Sequence, residues 1–428
     1  MHELQETEEQ PKKAFLIALR QDGQKGALAA AEAELVLNEL ASLAGTLGLE
    51  VIGRETAVIR GRGSRSSRYG IGTGKAEELS KKAAEAGADC LVLDWDPSPS
   101  QQRNWEEISG LSALDRQELI IRIFSSRART REAELQASLA ELGYFLPRLA
   151  HKYIDLSRQR GGRYGTRGAG ETRLETDRRS IEQRIQRLKA ELEDVRKNRN
   201  VQRQKREKAA VPVCALVGYT NAGKSSLLNA LTGADAFVED KLFATLDATT
   251  RTITRKGRSV LLVDTVGFIR NLPHRLIDAF HSTLEETAMA DLLLHVLDAS
   301  DPELDRHFET TRALLEELGA EKVPVLTVLN KIDKSVDVSL ADLSQRYPGS
   351  IAVSAKSGAG LEALLDRIDA LLAADQRHFS FPMDRTDLAA LLHRSGEVIE
   401  ERYEGDRIEV IARVDSRTAN MLKRWNKA

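Results

Sequence analysis

The chain has 428 residues, 41% of them hydrophobic and 30% charged, a composition that suits a globular protein of roughly two to four domains with buried cores. No apolar run approaches the roughly 18 residues of a membrane span, and the acidic opening MHELQETEEQPKK is unlike a secretory signal, so a cytoplasmic protein without stable membrane insertion is expected. A formal net charge of -2 argues against a uniformly basic nucleic-acid binder, and two separated cysteines, Cys90 and Cys214, argue against a disulfide framework or a zinc site.

Residues 1–12 read as an acidic tail. Over 13–126 the runs AFLIALR (14–20), LEVIGRETAVIR (49–60), DCLVLDWD (89–96) and LIIRIF (119–124) alternate with helical patterns, which predicts an N-terminal α/β domain with a parallel sheet. Gly72-Thr-Gly-Lys75 has Tyr69 where a phosphate loop needs its first glycine and Ala76 where it needs a hydroxyl, so it reads as a helix start. From 127 to 209 the period changes. Leu135, Leu139, Leu142, Leu146 and Leu149 step by four and three, as do Ile181, Ile185, Leu188, Leu192 and Val195, the seam of an antiparallel helical hairpin. At ~1.5 Å per residue each arm reaches about 40 Å. Pro147 predicts a kink or break near Gly143 to Pro147. The tip, 158–172, is RQRGGRYGTRGAGET, far richer in glycine and arginine than a helix turn requires.

Over 210–373 apolar runs resume: VPVCALV, VLLVDTVG (260–267), DLLLHVLDAS (291–300), VPVLTVLN (323–330) and SIAVSA (350–355). The last segment, 374–428, has a helical stretch at Arg385 to Leu392, two alternating runs joined across Glu404-Gly405-Asp406 and a helical end, which predicts a small α+β unit.

The strongest chemical signal is Gly218-Tyr219-Thr220-Asn221-Ala222-Gly223-Lys224-Ser225, a full G-x-x-x-x-G-K-[ST] placed between a strand and a helical run. The glycines let successive N–H groups point at phosphate oxygens, Lys224 adds charge at the β- and γ-phosphates, and Ser225 offers a hydroxyl to Mg²⁺. Asn330-Lys331-Ile332-Asp333 ends the strand VPVLTVLN, at the sheet edge where doubly wound folds bind ligands. The Asp333 carboxylate can accept two hydrogen bonds from guanine, whereas adenine offers no matching donors. Ser354-Ala355-Lys356, after the next strand, completes the expected base pocket. Between these motifs, Asp264-Thr265-Val266-Gly267 is expected to hold Mg²⁺ through water at Asp264 and to face the γ-phosphate with the Gly267 N–H. In Phe243-Ala244-Thr245-Leu246-Asp247, Thr245 is the expected second hydroxyl on Mg²⁺, with Thr249 and Thr250 as rivals. Lys224, Thr245 and Gly267 are the expected catalytic residues. The fold expected is α/β: a P-loop GTPase domain with a doubly wound, mostly parallel sheet. An α/β N-terminal domain with the hairpin precedes it and a small α+β domain follows. Phe268 stands where many small GTPases carry the glutamine that orients the attacking water, which predicts slow hydrolysis by the chain alone.

The succession GYTNAGKS, FATLD, DTVG followed by phenylalanine, NKID and SAK, preceded by a GTRGAGETRLETDRR tip, resembles the HflX family of ribosome-associated GTPases. That resemblance implies binding to the large (50S) ribosomal subunit and its rRNA, GTP hydrolysis stimulated by the ribosome, and the splitting or rescue of stalled ribosomes under stress. It also gives a role to the tip. Arg158, Arg160, Arg163, Arg167 and Arg173 can pair with phosphates or stack on bases, and Tyr164 adds a stacking face. On composition alone a solvated flexible loop remains the other reading. Asn221 resembles the cation ligand of potassium-dependent GTPases, so K⁺ joins Mg²⁺ among the candidate cofactors. The chain is expected to act as a monomer. Two alternatives stay open: a large-subunit assembly factor with the same chemistry, and a GTP-sensing signalling or scaffold protein that uses the hairpin as a partner surface.

Overall fold

The computed structural model of the chain describes residues 13–21, 27–59, 67–159, 167–208, 211–233, 242–243, 249–255, 258–270, 287–334, 339–372, 375–414 and 416–427. It divides into two compact units, Met1–Glu191 and Leu192–Ala428. No helix among the described residues is long and apolar enough to cross a membrane.

The first unit begins with β1 (Lys13–Gln21), α1 (Ala27–Thr46), β2 (Glu50–Ile59), α2 (Thr73–Glu85), β3 (Cys90–Leu93), α3 (Pro99–Ser109), β4 (Ser112–Asp115) and α4 (Arg116–Arg127). The four strands pair in parallel in the order β2-β1-β3-β4. Strand β3 is buried along its whole length, as the interior strand of a sheet covered on both faces must be. Helix α2 does start at Thr73, with Gly72 as its N-cap. The run LIIRIF, however, is helical. The fourth strand is the short SALD, and its last residue, Asp115, caps α4 by accepting the Glu118 N–H at 2.7 Å. Leu119, Ile120, Ile121, Ile123 and Phe124 are all buried, so no polar stripe interrupts the helix and its pattern imitates a buried strand.

The hairpin consists of α5 (Arg131–Gln159) and α6 (Arg167–Lys208). Arg131, at the start of α5, is salt-bridged to Glu191, far along α6, which sets the two helices antiparallel. Helix α5 runs through Pro147 without the expected break. A proline removes one helical donor, but Tyr144 and Arg148 on either side of it are both tied to Asp115, at 2.8 and 2.9 Å, which holds the helix in place. The burial stripe also differs from the expected seam. Ala133, Leu135, Gln136, Ala137, Ala140 and Tyr144 are buried, and α5 packs on α3 and α4. Leu139, Leu142 and Leu146 are only half-buried, and on α6 Leu192 is buried while Ile181, Ile185, Leu188 and Val195 are half-buried. The tip is shorter than 158–172, because Arg158 belongs to α5 and Arg167 to Thr172 belong to α6. Residues 160–166, with Arg160, Arg163 and Tyr164, lie outside the described residues, as do the side chains of Leu149, Arg158, Arg167 and Arg173.

The second unit carries β5 (Val213–Val217), α7 (Lys224–Thr232), β6 (Thr249–Arg255), β7 (Arg258–Asp264), β8 (Leu292–Asp298), α8 (Leu304–Glu317), β9 (Val325–Asn330), α9 (Leu340–Arg346), β10 (Ile351–Ala352) and α10 (Leu361–Leu371). Its six strands run in the order β10-β9-β8-β5-β7-β6, all parallel except β6, which is antiparallel to β7. The chain moves from β5 to β7 on one side and then to β8 on the other, so the topological switch point lies beside β5. A second, antiparallel sheet follows: β11 (Asp375–Pro382), β12 (Gly396–Glu404), β13 (Arg407–Val414) and β14 (Asn426–Lys427), in the order β12-β13-β11-β14, with α11 (Thr386–Ser395) and α12 (Ser416–Met421). Gly405, at a φ of 62°, turns β12 into β13 as expected. Strand β11 was not expected. It places Phe379 and Phe381 in a core with Leu392, Ile408, Val410, Ala412 and Val414.

Candidate functional site

The loop between β5 and α7 sits at the carboxyl edge of the sheet, at the switch point. Two of its glycines are there for reasons of space and of handedness. Gly218 has a φ of 148° and a Cβ there would lie 2.2 Å from Val296 O; Gly223 has a φ of 89° and its Cβ would lie 2.4 Å from Asn330 Nδ2. Asn221 adds a left-handed residue at a φ of 61°. Such a run of turns directs backbone N–H groups into one concavity at the head of α7, an arrangement suited to anionic oxygens.

Lys224, the first residue of α7, is buried, and its Nζ donates to Gly218 O at 3.1 Å and Tyr219 O at 2.9 Å. Burial lowers its pKa to about 8, opposed by the Asp264 carboxylate. At neutral pH the amine remains mainly charged, and a phosphate would hold it so. Ser225 Oγ donates to Asp264 Oδ2 at 2.6 Å. Asp264 ends β7 and Thr265 Oγ1 ties the next turn to Leu216 O at 2.7 Å, so DTVG begins at a fixed point beside the loop. Val266 is buried. Gly267 leaves no room for a side chain: its Cβ would lie 2.8 Å from Thr220 Cα and 2.9 Å from Lys224 Nζ.

Asn330 connects the opposite side. It is 1% exposed, donates from Nδ2 to Ala222 O at 3.0 Å and accepts the Ala355 N–H at 3.1 Å. One side chain thus joins the phosphate loop to the Ser354–Lys356 loop. Lys331, at a φ of 63°, reaches Asn221 O and Asp298 Oδ2, each at 2.7 Å. Ile332 N donates to Val353 O at 3.3 Å. Asp333 is exposed at the rim, and its Oδ1 accepts the Ser354 hydroxyl at 2.6 Å. That hydrogen bond holds its carboxyl below the usual range, so it is an anionic acceptor at neutral pH. Lys356 is exposed beside it.

The residues expected from the motifs are therefore brought together on β5, β7, β9 and β10 edges, with one exception. Phe243 is buried at a φ of 54°, but Ala244, Thr245, Leu246 and Asp247 lie outside the described residues. The rivals Thr249 and Thr250 belong to β6, with Thr249 in register with Asp264. Sequence reasoning missed two features. One is the double hydrogen bond of Asn330, for which a buried asparagine ending an apolar strand was the available signal. The other is the surroundings of Tyr219, for which no signal existed.

Three families together match most of the chain: residues 34–125 match the family described as GTP-binding GTPase N-terminal, residues 127–206 the GTP-binding GTPase Middle Region, and residues 213–331 the 50S ribosome-binding GTPase. The GTPase HflX of Caldanaerobacter subterraneus subsp. tengcongensis is 44% identical over 425 residues, 99% of this chain and 95% of that protein. The GTPase HflX of Akkermansia muciniphila is 43% identical over 96% of each chain, and that of Escherichia coli is 41% identical over 86% of this chain and 87% of that one. The chain belongs to the HflX GTPase family. It is a GTPase. In this HflX-family chain the residue after Gly267 is Phe268, 1% exposed, whose phenyl ring can neither orient a water molecule nor stabilise charge.

Proposed function

We propose that this HflX-family GTPase acts on the large (50S) ribosomal subunit in its GTP form, hydrolyses GTP slowly when alone and faster on the subunit, and splits or rescues stalled ribosomes under stress. In this reading Gly218 to Ser225 cradle the phosphates, and Asp264, Thr265, Val266 and Gly267, with Phe243 to Asp247, sense the third one. Asn330 to Asp333 and Ser354 to Lys356 hold the guanine. The observation that carries the base reading is the anionic Asp333 at the rim, fixed by Ser354, beside a phosphate loop that Asn330 ties to the same edge.

Mg²⁺ fits the donors present. It takes hard oxygen ligands, and Ser225 Oγ and Asp264 Oδ2 meet at 2.6 Å. Ser225 would hold it directly, Asp264 through water, and Thr245 would add a second hydroxyl. When bound, the cation neutralises charge on the β- and γ-phosphates. Lys224 binds the same phosphates, Gly267 presents its N–H to the γ-phosphate, and the Asn330 link keeps both base and phosphate loops in register. K⁺, with Asn221 as a ligand, would supply charge that Phe268 cannot.

Residues 127–209 serve as the arm that reaches RNA, and Arg158, Arg160, Arg163, Tyr164, Arg167 and Arg173 make contacts to it. The match of residues 213–331 to a 50S ribosome-binding GTPase family supports that destination, as does a glycine-arginine tip suited to phosphates and unpaired bases. The protein works in the cytoplasm as a monomer. The test is single-turnover GTP hydrolysis with and without 50S subunits, for the parent chain and for a variant with Arg160, Arg163 and Arg167 changed to Ala. Stimulation by subunits that is lost in the variant, at an unchanged basal rate, is the expected result. Equal stimulation of both proteins contradicts the role of the tip, and no stimulation of either contradicts the ribosomal reading.

A further inference from the structure

Tyr219, the second residue of the phosphate loop, is bound on every side. Its hydroxyl accepts the Arg270 N–H at 2.9 Å. Its ring stacks on His307 with centroids 3.7 Å apart and planes 15° from parallel, and His307 in turn lies 3.4 Å from Asp301. Its backbone neighbours pair with the segment that follows DTVG: Phe268 N donates to Gly218 O at 3.1 Å, and Thr220 N donates to Phe268 O at 2.8 Å. The Arg270 side chain is held separately, 3.5 Å from Glu303. Tyr219 and its two neighbours therefore fasten residues 268 and 270 together, Tyr219 through its hydroxyl and Gly218 and Thr220 through their backbone.

The position of that segment matters to one phosphate only. Lys224 Nζ already donates to Gly218 O and Tyr219 O, and a Cβ on Gly267 would lie 2.9 Å from it. The amine therefore fills the space against Gly267, where in the proposed reading the Gly267 N–H meets the γ-phosphate. A γ-phosphate that inserts there parts the amine from Gly267 and works against the contacts that hold residues 268 and 270. GDP makes no such demand.

We propose that Tyr219 is a positioning residue that restrains the Gly267–Arg270 segment against the phosphate loop and thereby sets how strongly the protein prefers GTP over GDP. The proposal rests on the reading of Gly218 to Ser225 as the phosphate cradle and adds the device that couples it to the third phosphate. A ligand that must first release a restrained segment binds with an apparent affinity scaled down to the fraction of molecules already released. Removing one hydrogen bond of the restraint raises that fraction about fivefold, the equivalent of ~1 kcal/mol.

The experiment measures equilibrium affinities of the full chain for GDP and for a non-hydrolysable GTP analogue. Tyr219→Phe keeps the ring on His307 and loses the acceptor for the Arg270 N–H. Its ratio of analogue to GDP affinity should rise about fivefold over the parent's. A ratio of analogue to GDP affinity that is unchanged or lower overturns the proposal, whatever the absolute affinities do, because a merely weakened loop would bind both nucleotides less well. His307→Ala, which removes the stack instead, is read in the same way if Tyr219→Phe fails to melt cooperatively. Lys224→Ala separates the two readings: retention of GDP by that variant refutes the phosphate cradle itself, while loss of GDP leaves the Tyr219 ratio to decide the present proposal.

Discussion

Asn330→Ala removes both hydrogen bonds by which one buried side chain holds the phosphate loop and the Ser354–Lys356 loop together. The Ala222 carbonyl and the Ala355 N–H are left at a position where Asn330 itself is 1% exposed, so water replaces the lost partners poorly. A buried polar group stranded in this way costs about 1–3 kcal/mol, and two of them cost about 2–6 kcal/mol. For a unit of this size ~1 kcal/mol moves the melting temperature by about 2–4 °C, so a loss of at least about 4 °C is expected. Calorimetry identifies the relevant transition as the one GDP shifts upward. GDP affinity should fall more than tenfold as well, since Gly223 packs directly against Asn330 Nδ2 and loses its backstop. A shift below about 2 °C with unchanged GDP affinity would refute the linking role of Asn330.

Asp333→Asn should weaken GTP binding and shift preference toward xanthine nucleotides, whose C2 carbonyl accepts where guanine donates; competition binding with GTP and XTP measures it, and unchanged GTP affinity rejects the assignment. In the first unit Asp115 is buried between Tyr144 Oη at 2.8 Å and Arg148 Nη2 at 2.9 Å, and burial raises its pKa to about 7. The folded state then binds a proton that the unfolded state releases, so this group's contribution to stability is fully present below about pH 4 and is lost as pH rises to about 7, by at most about 4 kcal/mol. Thermal melts of the first unit's transition from pH 5 to 7.5 should show that decline, and Asp115→Asn should flatten it; an equal slope in both proteins contradicts the burial argument. Basal single-turnover hydrolysis should be slow and faster in potassium than in sodium, with Asn221→Ala abolishing the difference. Fast hydrolysis in both salts would show that Phe268 is not the limiting feature.

The sequence made legible what depends on short-range backbone geometry. Gly218, Gly223 and Lys224 had to stand at fixed intervals for the loop to wrap, and the loop is where their spacing put it. The strands β1, β3, β5, β7, β8 and β9 were equally readable, because buried parallel strands leave continuous apolar runs. The same property misled at Leu119 to Phe124, where a helix buried on all sides lost its periodic signature. At Pro147 the local rule was overridden by tertiary contacts, since Tyr144 and Arg148 on either side of the proline are both tied to the buried Asp115. The Asn330, Tyr219 and Tyr144 networks join residues distant in sequence, and no spacing rule reports them.

In the proposed function the GTP form of this chain grips the large ribosomal subunit. Co-sedimentation of the full chain with purified 50S subunits, in a non-hydrolysable GTP analogue and in GDP, tests it most directly, repeated across a salt series. Binding that is strong with the analogue, weak with GDP and falling steeply with salt, as loss of phosphate contacts requires, is the predicted result. Binding that is absent, or equal in the two nucleotides, contradicts the account.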